Sequence, residues 1–200
     1  FGAFHPRDFW RLGTQLLEIV EALEPTGIYH RDIKPANLGL RGKPSEMQLT
    51  LYDFSLSREP LDAQETGTVP YSDPFLGATG SHRVRFDGFA ERYSAVVVLY
   101  QMATLETPKY SEDSTSPDFT DGHVLLHPGA FEQLGVHSCQ RDALLEFFRR
   151  NLDKDTSLRA ASAADLRQQF LAAKDAKTQD PEGADRAIRP KPCLLYTSDA

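Results

Sequence analysis

His30-Arg31-Asp32-Ile33-Lys34-Pro35-Ala36-Asn37 is the stretch on which the fold reading turns. Within eight residues it sets a carboxylate, Asp32, two positions before a cation, Lys34, and five before a neutral amide, Asn37. A lone His-x-Asp in a turn is commonplace, because Asp there often satisfies backbone amides. The full octet is far more specific than that dipeptide, and its three side chains supply a proton acceptor, a positive charge and an oxygen ligand side by side.

The flanks place the octet between a helix and a hairpin. Upstream, Phe9, Leu12, Leu16, Ile19, Val20 and Leu23 recur at helical spacing. Pro6 suits the first turn and Pro25-Thr26-Gly27 stops the helix. Downstream, apolar segments at 38–40 and 47–52 flank Arg41-Gly42-Lys43-Pro44-Ser45, which predicts a β-hairpin. Residues 55–90 are rich in Pro, Gly and polar side chains and read as a long ordered loop, a feature that is usually functional inside a compact domain. Residues 91–105 are strongly apolar, and their length favours a central buried helix over a strand. After an acidic, loop-like stretch at 109–128, two more helical patterns cover 141–152 and 162–173. The last stretch, 174–192, loses apolar periodicity and reads as a disordered linker. Residues 193–200 form an abrupt apolar tail that resembles translated adapter read-through and is set aside as non-native.

Composition narrows the classes. The 200 residues suit one domain, and the net charge of −7 argues against broad binding to nucleic acid or an anionic membrane. No apolar run approaches the ~20 residues that cross a bilayer. Two cysteines, Cys139 and Cys193, far apart, argue against a disulfide framework or a Cys-x-x-Cys metal site and fit a reducing cytoplasm. The start, Phe1-Gly2-Ala3-Phe4, has no Met and no signal-peptide pattern and reads as a cut within a longer chain. His5, His82, His123, His127 and His137 are scattered without a second ligand at metal spacing and read as surface or capping residues.

The octet resembles the catalytic loop of eukaryotic-like Ser/Thr protein kinases, including the Asp-to-Asn spacing. Two further segments carry the resemblance in the expected order. Tyr52-Asp53-Phe54-Ser55 is similar to the metal-binding Asp-Phe-Gly motif. Gly67-Thr68-Val69-Pro70-Tyr71-Ser72-Asp73-Pro74-Phe75 is similar to the end of an activation segment. The resemblance runs from about residue 9 to 173. It implies a mainly α fold with a small β-hairpin, the C-terminal lobe of a kinase-like α+β domain, with the strand-rich N-terminal lobe absent. Residues 1–173 would be that partial kinase domain. It implies Asp32 as proton acceptor, and Lys34 as the cation over the transferred phosphate of ATP. Asn37 and Asp53 would be the Mg²⁺ ligands, and Thr68 a Ser/Thr-kinase side chain near Asp32 and Lys34. The partners it implies are a protein substrate and the missing lobe of the same parent chain. Asp73-Pro74-Phe75 with Ala90-Glu91-Arg92-Tyr93 further resembles bacterial kinases of the BREX phage-defence type.

The departures matter as much. Ser55 stands where the family has Gly, whose backbone freedom a Cβ restricts. Phe75 stands where the family has the Glu that pairs with an Arg near the C-terminus; that Arg is present as Arg159, which is expected to lack its partner. Glu91 occupies the place of the Asp that caps the catalytic-loop backbone, with Asp87 as a competing candidate. Arg31 is expected to grip either a phosphate on Thr66 or the neighbouring Glu65. Two other functions remain open at this point: a pseudokinase-type scaffold, and a small-molecule phosphotransferase using the same His-x-Asp-x-x-x-x-Asn loop. The acids Glu112, Asp113, Asp118 and Asp121 form either a solvated loop or a dock for a basic substrate.

Overall fold

A computed structural model describes residues 4–43, 46–61, 67–77, 82–110 and 123–177. It is mainly helical, with one two-stranded antiparallel sheet. Helix α1 (Pro6–Leu23) opens with Pro6 in its first turn and His5 as N-cap, whose side chain accepts from the Arg7 amide. A 3-10 turn over Glu24–Thr26 follows, and Gly27 at φ +70° takes the left-handed position that ends it. Strands β1 (Leu38–Arg41) and β2 (Gln48–Leu51) pair in the register Leu38↔Leu51 to Arg41↔Gln48.

Helix α2 (Gly88–Thr104) is the hub. Every residue from Ala90 to Tyr100 is buried, Glu91 and Arg92 included, and a helix with so apolar a middle, Ala95–Tyr100, has to lie inside. It begins three residues before Glu91, because Asp87 is the N-cap and accepts from the Ala90 amide at 2.9 Å. Helices α3 (Ser138–Asn151) and α4 (Ala163–Lys174) complete the lobe, and Ser162 caps α4 through the Asp165 amide. The core joins Leu16 and Val20 of α1 to Val97 and Leu99 of α2, Leu144 and Phe148 of α3, and Leu166 and Phe170 of α4. None of the described helices is long and apolar enough to cross a membrane. The acids at 112–121 and residues 178–200 lie outside the described residues.

Candidate active site

The octet forms the connection between α1 and β1, and other elements hold its backbone. Glu91, one turn into α2, accepts from the His30 amide at 2.6 Å and from the Arg31 amide at 3.0 Å, one bond to each carboxylate oxygen. The open choice between Glu91 and Asp87 is thus resolved: Glu91 caps the loop and Asp87 caps the helix. Arg31 sits at φ +70°, a conformation disfavoured for a residue with a Cβ and sustained here by its fixed surroundings. His30 is fully buried. Its Nδ1 accepts from the Asp32 amide at 3.3 Å, so Nε2 carries the proton and donates to the Tyr52 carbonyl at 2.6 Å. That bond ties the loop to the strand end bearing Asp53.

Four of the side chains singled out in the sequence meet in one cluster. Lys34 Nζ lies 2.7 Å from Asp32 Oδ2 and donates to Thr68 Oγ1 at 2.6 Å. Thr68 donates in turn to Asp32 Oδ1 at 2.7 Å. Asn37 Nδ2 donates to the Asp32 carbonyl at 2.9 Å and to Oδ2 at 3.1 Å. Asp32 is therefore locked at both oxygens, while Lys34 and Thr68 bridge residues 34 positions apart. With its amide nitrogen so engaged, Asn37 has its amide oxygen unbonded among the described residues.

Asp53 follows β2 and is exposed, at φ +59°. The Ser55 hydroxyl and amide hold its carboxyl below the usual carboxylate range. The strained position is thus Asp53 itself; Ser55 opens a 3-10 turn (Ser55–Arg58) without a positive φ, so its Cβ costs nothing there. The Phe54 ring packs edge-on to His30 at 4.7 Å. An exposed ionised carboxylate and an unengaged amide oxygen, on segments joined by the Asn37 carbonyl to Tyr52 amide bond of 2.8 Å, are the hard oxygen donors a magnesium ion takes.

No protein-family model matches the chain. Among curated proteins it is similar to the "Probable kinase PglW" of Streptomyces coelicolor, 38% identical over 148 residues that cover 74% of this chain and 9% of that protein. It is also similar to the serine/threonine-protein kinase pkn2 of Myxococcus xanthus, 29% identical over 168 residues, covering 81% of this chain and 20% of that one. The chain thus spans no more than a fifth of either relative. Among solved structures it resembles the Rad53 kinase domain, in a structure with SCD2 and AMPPNP, at a TM-score of 0.59 and 19% identity, covering 84% of this chain and 59% of that one. The chain has the large-lobe fold of a protein kinase.

Within this kinase lobe, one expectation needs correction. Arg159 does not lack a partner. Its Nη1 lies 2.7 Å from Asp73 Oδ2, and both side chains are buried. Asp73, two residues before Phe75, supplies the carboxylate that Phe75 does not, and the Phe75 ring lies under the Arg159 guanidinium at 5.7 Å. Arg31 is 2% exposed, donates to the Glu59 carbonyl and lies over the Phe86 ring at 5.1 Å. Glu65 and Thr66 lie outside the described residues.

Two positioning features went unread in the sequence. Gln15 of α1 accepts from the Leu49 amide at 2.7 Å and donates to the Met47 carbonyl at 3.2 Å, pinning the outer edge of β2. Arg83 pairs with both Asp73 and Asp87 at 2.7 Å. The Arg83-to-Asp87 spacing of four was the visible clue to the second; nothing local marked the first.

Proposed function

We propose that this chain forms the large lobe of a kinase that transfers the γ-phosphoryl group of Mg-ATP to a Ser or Thr hydroxyl of a protein. The observation that carries the reading is the closed cluster of Asp32, Lys34, Thr68 and Asn37. Asp32, held at both oxygens, would accept or orient the proton of an incoming hydroxyl, which takes over the Thr68 bond or joins beside it. Lys34, beside that carboxylate, would face the transferred phosphoryl group and offset its charge. Asn37 and Asp53 would hold the magnesium ion, which when bound neutralises phosphate charge. The link from Thr68 to both Asp32 and Lys34 ties the segment at 67–75 to the reacting groups, and that platform supports a polypeptide substrate over a small molecule. Retention of all four polar groups, each of the others in contact with Asp32, supports an enzyme over a scaffold. The remainder of the cleft, a glycine-rich cover and a phosphate-binding Lys, would come from the parent chain.

The test uses the parent kinase. Asp32→Asn is expected to lower turnover by about 10³-fold or more while Mg-ATP affinity stays near wild type, because the side chain acts on the hydroxyl. Asp53→Asn is expected to weaken Mg-ATP binding as well. Equal loss of nucleotide affinity in the two variants, measured by titration calorimetry, would sink the role assignment.

A further inference from the structure

Between the activation segment and α2 lies a chain of ion pairs that no motif of the sequence called for. Asp73 is fully buried and receives two guanidinium groups on one oxygen: Arg159 and Arg83, each 2.7 Å from Oδ2. Its other oxygen accepts from the Phe75 amide at 3.1 Å. Arg83 reaches onward to Asp87 with two nitrogens, Nε to Oδ2 at 2.9 Å and Nη2 to Oδ1 at 2.7 Å. Asp87 in turn caps α2, and α2 carries Glu91, which caps the catalytic loop. The order is therefore segment end, Asp73, Arg83, Asp87, α2, Glu91, catalytic loop.

We propose that Arg83 is a positioning residue for phosphoryl transfer, bridging Asp73 and Asp87 so that the segment bearing Thr68 and Tyr71 sits in register with the Asp32 loop. The inference rests on the kinase reading given above. Three observations support it. The Arg83 contact to Asp87 is fork-to-fork, the geometry that fixes orientation as well as distance. The Arg83 side chain is 16% exposed and that of Asp73 not at all, so water screens the pair weakly. Burial alone would lower the Arg83 guanidinium; the Asp87 and Asp73 carboxylates outweigh it and hold the group above its ordinary value, so it stays charged. The segment has a second hold at the other end, where the Tyr71 and Ser72 amides donate to the Thr68 carbonyl and Tyr71 Oη donates to Gln101 of α2 at 2.8 Å. Without Arg83 the segment keeps its cluster contact through Thr68 but loses the tie between its far end and the N-terminus of α2.

The experiment compares the parent kinase with Arg83→Met, Asp87→Asn and the double variant. Asn caps a helix as well as Asp does, so Asp87→Asn keeps the α2 cap and removes only the charged bridge. Each single variant is expected to raise the KM for a protein substrate about tenfold, with the KM for ATP unchanged and the double variant no worse than Arg83→Met alone. Hydrogen exchange of the amides at 67–77 is expected to quicken in all three, with α3 and α4 unaltered. The proposal is overturned if Asp87→Asn leaves the protein-substrate KM at wild type, if both KM values move together, or if only the melting temperature changes. Wild type and Asp32→Asn run alongside: a wild type without protein phosphorylation sinks the kinase reading, and the hydrogen-exchange comparison then still decides whether Arg83 orders the segment.

Discussion

A carboxylate closed off from water that accepts two backbone N–H bonds is pulled in opposite directions, and Glu91 is such a group. Burial pushes its carboxyl up from 4.5 to about 7, against the pull of the His30 and Arg31 amides. Between those two pH values the folded chain holds a proton that the unfolded chain has released. The contribution of Glu91 to stability therefore falls as pH rises from about 4.5 to 7 and is level above that. Only the ionised form offers both oxygens as acceptors, so the loop is best capped at the basic end of that window. In the parent kinase, kcat is expected to climb through pH about 7, and Glu91→Gln, which presents an NH2 group to one backbone N–H, should flatten the climb and lower the plateau about tenfold. A wild-type profile without an inflection near neutrality would refute the assignment. The melting temperature, followed from pH 4 to 8, should lose in Glu91→Gln the downward slope that this group gives the wild type.

At the scale of elements, the close approach of α1, α2 and α4 depends on one absent side chain. A Cβ at Gly13 would lie 2.7 Å from Phe170 Cζ and 2.9 Å from Leu99 Cδ2. Phe170 has no room to retreat, with rings of Phe9, Trp10 and Phe147 at 5.6, 5.0 and 5.6 Å. Helix propensity alone favours Gly13→Ala by about 0.5–1 kcal/mol. Overpacking of a core costs about 1–3 kcal/mol, so the clash should win. Denaturant unfolding is expected to show Gly13→Ala less stable than wild type; a more stable variant would mean that the helices separate without cost. Phe9, Leu16 and Leu17 of α1 are buried in the same core.

For the molecule as a whole, some of the exposed apolar side chains lie beside the candidate site. Ile28, Tyr52 and Phe54, exposed by 46%, 46% and 38%, flank the catalytic loop. A cavity of about 390 Å³ lined by Phe4, Leu12, Leu38, Leu40, Leu49 and Met102 opens between α1, the hairpin and the end of α2. Apolar patches of this kind promote association when uncovered. Residues 1–200 alone are expected to self-associate in light scattering and to show no detectable phosphoryl transfer, because positioning and electrostatics from both sides of a cleft carry this chemistry. Transfer by the purified chain at the rate of the parent kinase, abolished by Asp32→Asn, would show that this lobe suffices.

What the sequence determined by itself is local in origin. Turn residues, helical periodicity and the octet's spacing each act within a few residues, and they located α1, the hairpin, α2 and the Lys34 and Asn37 side chains beside Asp32; Thr68, 36 residues from Asp32, was reached only through the family resemblance. Even Ser55, a departure from the family pattern, had a local answer in its own backbone angles. Pairing across long separations was decided only by the tertiary structure. Asp73 is 86 residues from Arg159, and Glu91 is 61 from His30. Gln15 is 34 from Leu49. A buried charge takes whichever opposite charge packing brings within reach, and a carboxylate two residues from the expected position serves Arg159 as well. Sequence order ranks such partners by motif position, whereas the folded chain ranks them by distance and by access to water.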